Sequence, residues 1–176
     1  MSKIAKTNPK LIDEVIDYIQ DELELGLAFE NWENNHRAYK TPIANERFFK
    51  AELYQENGDY KECFFDDYFN ATSFFIESDN AEFRNGKIVQ KCSFIFQCKL
   101  DALFPEITHR ADQELRAKLL SVFMNLNDSV VFEGFETGIE NVYNEFDRSG
   151  LKFYDLGNFH VIRMNFIARF SEPCFC

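Results

Sequence analysis

Residues 87–126 constrain the fold most, because a long strand pattern there leads directly into a helix pattern. Over residues 87–100 the apolar side chains recur at every second position, and this period predicts a strand with one buried face. That face carries Ile88, Cys92, Phe94, Phe96, Cys98 and Leu100. Over residues 108–126 the apolar period is that of a helix, with Thr108 as its N-cap and Asp112 in its first turn.

A strand that continues into an amphipathic helix predicts a helix packed across a sheet. We expect the helix to contribute Leu115, Leu119 and Val122 to this contact. The matching sheet face would carry Phe94, Phe96, Phe166 and Phe170. Nothing in this stretch has the residue pattern of a catalytic site.

A second helix is predicted near the N-terminus, over residues 9–25. Asn8 is a favourable N-cap, Pro9 suits the first helical position, and Gly26 is expected to end the helix. Its apolar face recurs at helical spacing, from Leu11 to Leu23, and acidic residues fill the opposite face.

The remaining strands are predicted from shorter patterns. We expect strands at residues 27–32, 47–54, 130–132, 139–146, 152–154 and 159–170. Loops are expected at residues 34–36 and 41–42, and turns at residues 56–59, 85–86 and 148–150. Residues 60–86 hold short apolar runs that suit either two short strands or a loop packed on a neighbouring molecule.

Together these elements predict a single α+β domain over residues 1–176. The expected architecture has two layers: a mostly antiparallel mixed sheet packed by an N-terminal helix and a central helix. Hydrophobic residues make up 45% of the 176 residues, enough for a sizeable core. The second face of the sheet also carries apolar side chains, so something is expected to cover it: Val89, Ile95, Val161 and Ile167.

The net charge of −11 disfavours conventional nucleic-acid binding, because such a surface repels the phosphate backbone. The acidic residues are spread along the chain, which is typical of a solvated surface. No window has the length and apolarity of a transmembrane span, and no apolar signal peptide is evident. The five cysteines have no framework spacing, which favours reduced thiols in a cytoplasm.

No catalytic, cofactor or metal site is predicted. His36, His109 and His160 are far apart in sequence, and none has metal-ligand spacing. Cys174 and Cys176 supply two thiols where a closed zinc site needs four ligands. Paired carboxylates such as Asp66 and Asp67 would serve a hydrolase only if they converged on one pocket, and exposed acids are the simpler interpretation. We therefore expect chelation to change neither fold nor assembly.

The order of elements resembles that of the phage tail-terminator family, the ring proteins that cap long tail tubes. The resemblance rests on the helix at 9–25, the strand at 88–100, the helix at 108–126, the Gly- and acid-interrupted strand at 138–146 and the closing strand at 159–170. Residues 108–115 also resemble the strand-to-helix junction of small tail-completion proteins. The plan covers most of the chain, with residues 55–86 looking like an insertion or extended loop.

This resemblance implies a non-enzymatic virion protein, made in the host cytoplasm and assembled as a homohexameric ring. Its implied partners are the tail-tube protein and the head–tail connector, with DNA passing through the ring without specific binding. Two alternatives remain open: another neck or tail-completion protein, or a non-catalytic soluble binding module. No functional residue is transferred by a motif.

Candidate subunit contacts come from the residues themselves. The aromatic residues of the segment 60–86 exceed the needs of one helix-on-sheet core, so some are expected at subunit contacts: Phe64, Phe65, Phe69, Phe74 and Phe75. Arg110 and Arg116 give the central helix a partly basic face that we expect to meet acids of a neighbouring subunit.

Overall fold

The computed structural model describes residues 2–44, 46–54, 59–63, 68–148 and 159–171. Within them the helices are α1 (Ile12–Leu27), α2 (Leu100–Leu103), α3 (Asp112–Met124) and α4 (Ile139–Val142). The strands are β1 (Ser2–Lys3), β2 (Trp32–Arg37), β3 (Tyr39–Pro42), β4 (Phe49–Tyr54), β5 (Tyr60–Glu62), β6 (Ala71–Arg84), β7 (Lys87–Lys99), β8 (Val130–Thr137) and β9 (Phe159–Phe170). The strand predicted at 152–154, most of the turns predicted at 56–59 and 148–150, Phe64, Phe65, Cys174 and Cys176 lie outside the described residues.

The main sheet contains six of the described strands in the order β1-β2-β6-β7-β9-β8. Strand β2 runs parallel to both β1 and β6, whereas the pairs β6–β7, β7–β9 and β8–β9 are antiparallel. The predicted strands at 87–100 and 159–170 are confirmed as β7 and β9. These two strands pair along almost their whole length, from Ile88 opposite Phe170 to Lys99 opposite Phe159.

Helices α1 and α3 cover one face of this sheet and enclose the first core. Leu115 and Leu119 are fully buried there among Phe94, Phe96 and Phe166, as predicted. The third buried side chain of α3 is Phe123, while Val122 is partly buried and faces α1. The predicted packing of the central helix on the sheet is therefore confirmed, except that Phe123 takes the place expected for Val122.

A second core lies on the opposite face of the sheet. There the small antiparallel sheet β3-β4-β5 and the short helix α4 pack over β6, β7 and β9. Ile95 and Val161 are two of the apolar residues for which a cover was expected. Both are buried in this core, with 0% and 3% of their surface exposed. The chain itself therefore covers this part of the second face.

The α+β class, with helices packed on a mostly antiparallel mixed sheet, is confirmed. The segment 55–86, expected as an insertion or extended loop, contains β5 and β6 in its described part. Strand β6 spans 14 residues and lies between β2 and β7 in the main sheet. Its first six residues, from Ala71 to Ile76, are buried, so this segment contributes to both cores.

The ends of α1 differ from the prediction. The helix begins at Ile12 because Leu11 has a φ of 58°, so neither Asn8 nor Pro9 belongs to it. It continues through Gly26 and ends at Leu27, where Ala28 adopts a left-handed conformation and its N–H bonds the Glu24 carbonyl. Gly26 thus serves close packing on α3, and the αL residue that ends the helix is Ala28.

The loop predicted at residues 34–36 is wrong, since these residues form the middle of β2. Asn34 is fully buried, and its backbone carbonyl accepts a hydrogen bond of 2.9 Å from Gln20 Nε2. Its side-chain oxygen accepts another of 3.1 Å from Ser73 Oγ. The strand predicted at 27–32 accordingly begins only at Trp32, and the loop predicted at 41–42 is part of β3.

Two more boundaries are corrected. Helix α3 begins at Asp112, with Ala111 at the N-cap position, so Thr108 does not cap it. The strand predicted at residues 139–146 is instead the helical turn α4, followed by turns. Val142 and Phe146 are buried in the second core at helical spacing, which explains why this segment coils.

The turn predicted at Asn85-Gly86 is confirmed as the connection of the β6–β7 hairpin. Both residues have positive φ, 52° and 76°, as the favoured two-residue hairpin turn requires. All residues from 79 to 87 are exposed, including Phe83 at 76%. The hairpin therefore ends in a surface-exposed tip that neither core uses.

Candidate functional site

A polar cleft of about 530 Å³ lies in the described part of the chain. It lies beside the second core, where β6, β7, β8 and β9 contribute its walls and Lys40 and Glu145 close one end. Four consecutive residues of β8, from Glu133 to Glu136, line it because a bulge between Phe132 and Gly134 interrupts the strand alternation.

Arg163 on β9 organises the base of the polar cleft. Its Nε donates to Ser93 Oγ at 2.9 Å and to the Asn165 side-chain oxygen at 3.2 Å. Its Nη2 donates to Glu145 at 2.7 Å, and the guanidinium side chain is only 13% exposed. The fork of the guanidinium thereby joins two strands to the segment after α4.

The rim of the cleft carries more charge. Lys91 lies 3.9 Å from Glu133, and Lys40 lies 3.8 Å from Glu145. Glu136 accepts a hydrogen bond of 2.9 Å from Asn165 Nδ2 and has no ion pair among the described residues. Of the described rim carboxylates, Glu136 is therefore the one best suited to a cationic group.

The cleft does not combine a nucleophile with a base. Ser93 Oγ donates to the Asn165 oxygen at 2.8 Å and accepts from Arg163, so no group is placed to remove its proton. No histidine occurs among its described lining residues. The arrangement is suited to binding by hydrogen bonds and charge.

A second polar cluster joins α1 to the main sheet around Asp13. Burial raises the pKa of this carboxyl, but the hydrogen bond from Lys6 and the charge of Arg37 outweigh burial, so the pKa lies below its ordinary value. Arg37 Nε donates to Asp13 at 3.0 Å and its Nη1 bonds Glu77. His36 is buried beside them, and burial lowers its pKa. Arg37 thereby joins Asp13 of α1 to Glu77 of β6 and holds α1 against β2 and β6.

His160 lies at the other end of the sheet, under the start of α3. Its Nδ1 accepts a hydrogen bond of 3.3 Å from Arg110, and its Nε2 is buried without a partner among the described residues. Burial, followed by the positive charge of Arg110, lowers the pKa of His160. His109 is exposed at 73% and lies 3.6 Å from Glu114. The three histidines remain separate in the fold.

The described cysteines are unreactive core residues. Cys63, Cys92 and Cys98 are buried and unpaired by disulfides. Burial raises the pKa of the Cys92 thiol to about 12, and it raises the pKa of the other two thiols as well. Within the described ranges, no group of three or more His, Cys, Asp or Glu side chains is placed to hold a metal ion.

The predicted subunit-contact residues separate into three groups. Phe74 and Phe75 are 2% and 0% exposed in the chain's own cores, which corrects their assignment to an intersubunit surface. Phe69 is half-buried beside Tyr68. Arg110 is exposed at 68%, whereas the Arg116 guanidinium already stacks over Phe135 at 4.4 Å.

The cleft residues were not identified from sequence as a site. Alternation places Ser93, Arg163 and Asn165 on the more polar face of two predicted strands, which is a usable signal. It does not give the register that sets Ser93 opposite Asn165, 72 residues further along the chain. Glu136 and Glu145 reach the same cleft only through the β8 bulge and the helical turn α4.

The fold and the cleft define an α+β protein with a charged surface cleft. No model of a known protein family matches the chain, and no curated protein matches it. Among the described helices, none is long and apolar enough to cross a membrane.

Proposed function

We propose that this protein is a structural subunit of a tail-terminator-like ring, which caps a phage tail tube and joins it to the head connector. The element order of the resemblance supports this proposal, with α1, β7, α3 and β9 at the corresponding positions. The ring would be hexameric, and DNA would pass through it without specific binding.

The observation that carries the proposal is the exposed end of the β6–β7 hairpin. Beyond Phe75, β6 pairs with β7 on one side, and no described strand pairs with its other side. An unpaired edge with an exposed aromatic side chain is a surface that natural monomers usually avoid. Such a surface suits a chain that works in contact with other copies or with neighbouring tail proteins.

A soluble binding module is the second candidate, because the polar cleft has the volume of an ordinary ligand site, roughly 300–1,000 Å³. A module of this kind would remain monomeric. The carboxylate-rich rim would then select a small cationic ligand instead of a subunit.

The test is the mass of the wild-type protein in solution, measured by light scattering alone and after addition of purified tail-tube protein and connector. A ring of about six copies supports the proposal, as does ring formation triggered by the tail tube. A protein that stays monomeric under all these conditions would exclude the terminator function and leave the binding module.

Charge provides a finer test of the ring. Arg110 is the more exposed of the two predicted contact arginines, so Arg110→Glu should weaken assembly, with the larger effect at low salt. Lys10→Glu reverses an exposed charge at the N-terminal side of α1 and is the matched control. Equal assembly of both variants would remove Arg110 from the interface while leaving the ring itself untouched.

A further inference from the structure

The small sheet β3-β4-β5 has one face on the second core and one face in solvent. Strand β4 buries Ala51 and Leu53 in that core, so its alternate residues point outward. Tyr54 is one of these outward residues, and Tyr60 of β5 lies directly opposite it. Tyr39 of β3 pairs with another outward residue of β4 and shares this face. These three side chains, the tyrosine cluster, are exposed at 36% for Tyr39 and 55% for each of the other two.

The rings of the tyrosine cluster contact one another at steep angles. The ring centroid of Tyr60 lies 5.5 Å from that of Tyr54 and 6.2 Å from that of Tyr39. The interplanar angles of these two contacts are 73° and 82°. Arg37, which is itself bonded to Asp13, lies over the Tyr39 ring at 5.1 Å from its centroid. The cluster is therefore formed before a partner arrives, which limits the entropy lost on binding.

The steep ring angles select among the ligands that aromatic surfaces bind. Nucleobases stack on open ring faces beside a basic groove, whereas this chain has a net charge of −11. Rings that stand nearly at right angles leave notches between them, and a proline ring fits such a notch. A polyproline II helix has no internal hydrogen bonds, so its carbonyl oxygens are free to accept from a partner. Aromatic-lined surfaces are a recurring means of recognising proline-rich segments.

Polar groups of the same face add to this match. The exposed tyrosine hydroxyls form no hydrogen bond with the described residues and can donate to carbonyl oxygens of a ligand. Glu52, on the same face as Tyr54, accepts a hydrogen bond from Thr41 and forms no ion pair with a described residue. Glu62 of β5 is already paired with Lys50. Glu52 is therefore the carboxylate of this face that can receive a basic side chain.

We propose that the tyrosine cluster is a docking surface for a proline-rich segment of another protein, and that this segment carries a basic residue. Prolines of the segment pack against Tyr54 and Tyr60, whose hydroxyls donate to its backbone carbonyls. The basic residue pairs with Glu52. The inference goes beyond the proposed ring function and does not rest on it, because each copy of the chain carries the whole cluster.

Peptide binding tests the tyrosines. The probe is a fluorescein-labelled peptide of about ten prolines with one terminal arginine, titrated with the full chain and followed by fluorescence anisotropy. Tyr54→Ser/Tyr60→Ser should weaken binding at least about tenfold, because it removes both aromatic anchors. Tyr60→Phe keeps the ring packing and should lose only about threefold, the share of one hydrogen bond. The matched control is Tyr68→Ser, since Tyr68 is 77% exposed and lies outside the small sheet.

A second comparison tests the carboxylate. Glu52→Gln keeps an acceptor for Thr41 and removes the charge. It should weaken binding of the arginine peptide about threefold, with the larger effect at low salt. A peptide of the same length without arginine should bind the wild type and Glu52→Gln equally. Equal weakening of both peptides would overturn the pairing of Glu52 with the basic residue.

Two results would overturn the docking surface itself. One is a wild-type protein that binds neither peptide at about 1 mM, the weak end of measurable affinity. The other is undiminished binding by a folded Tyr54→Ser/Tyr60→Ser protein, with circular dichroism as the measure of folding. If sedimentation equilibrium then shows self-association that this variant loses, the cluster is a contact between copies. Peptide binding by a chain that never forms rings would overturn the ring function alone.

Discussion

Gly26 of α1 lies directly against Val122 of α3, so that a Cβ added at Gly26 would be only 2.4 Å from Val122 Cγ2. This contact sets the separation of the two helices over the first core. It also explains why a glycine is retained inside a helix, where glycine is unfavourable by about 1 kcal/mol relative to alanine.

Gly26→Ala should therefore destabilise the protein by about 1–3 kcal/mol, because the added methyl group overpacks the contact. Helix propensity alone would predict the opposite, since alanine is a better helix former than glycine. The double variant Gly26→Ala/Val122→Ala relieves the clash and should recover a large part of this loss. Urea unfolding of both variants measures the effect. A stabilised Gly26→Ala protein would show that the helices are further apart than described.

Leu119→Ala tests the first core. This side chain is fully buried between α3 and the sheet, and its truncation should cost about 2–5 kcal/mol of unfolding free energy. Leu25→Ala is the matched control, because Leu25 is 79% exposed on α1. Thermal unfolding at one pH compares the two variants, and equal melting temperatures would contradict the packing of α3 on the sheet.

Arg163→Lys tests the network at the base of the polar cleft. An ammonium cannot bond Ser93 and Glu145 together as the guanidinium fork does, so we expect a loss of about 1–3 kcal/mol. Arg169→Lys makes the same substitution at an exposed position of the same strand and should change stability by less than about 0.5 kcal/mol. Chemical denaturation distinguishes them, and similar values would mean that the network contributes little.

His160 should make stability depend on pH in the mildly acidic range. Burial, followed by the charge of Arg110, lowers its pKa below the ordinary value of 6.5, so protonation favours the unfolded chain. The effect of nearby Asp112 opposes this shift, and that of Arg116 adds to it. Stability should thus be complete above pH 6.5 and fall below it, by at most about 1.4 kcal/mol per pH unit for this histidine.

The measurement is urea unfolding of the wild type and of His160→Gln at about pH 7.5 and about pH 5.5, roughly one unit to either side of the ordinary histidine pKa. The variant should lose less stability between the two values. His36, whose pKa burial also lowers, keeps part of the dependence in both proteins. Identical losses would assign the pH dependence to groups other than His160.

Strands with clean alternation could be predicted from the sequence. β7 and β9 were located closely because each buries one unbroken apolar stripe under the helices, and the Asn85-Gly86 turn has its own local signature. β2 could not be located in this way, because it has polar residues at buried positions. Its Asn34 is buried and accepts hydrogen bonds from Gln20 and Ser73, which come from distant segments of the chain.

The candidate site was less predictable than the fold for a related reason. Phe74 and Phe75 looked surplus because the sequence suggested one core, whereas neighbouring residues of β6 enter two cores. The cleft depends on strand register and on the β8 bulge, which are long-range properties that a local pattern does not carry.

Strand β7 belongs to both cores at once. Phe94 and Phe96 are buried under the helices, and Ile95 between them is buried under the small sheet. Separating either layer would expose one side of the same central strand. The two cores therefore form one cooperative unit, in which a local opening on one face weakens the other.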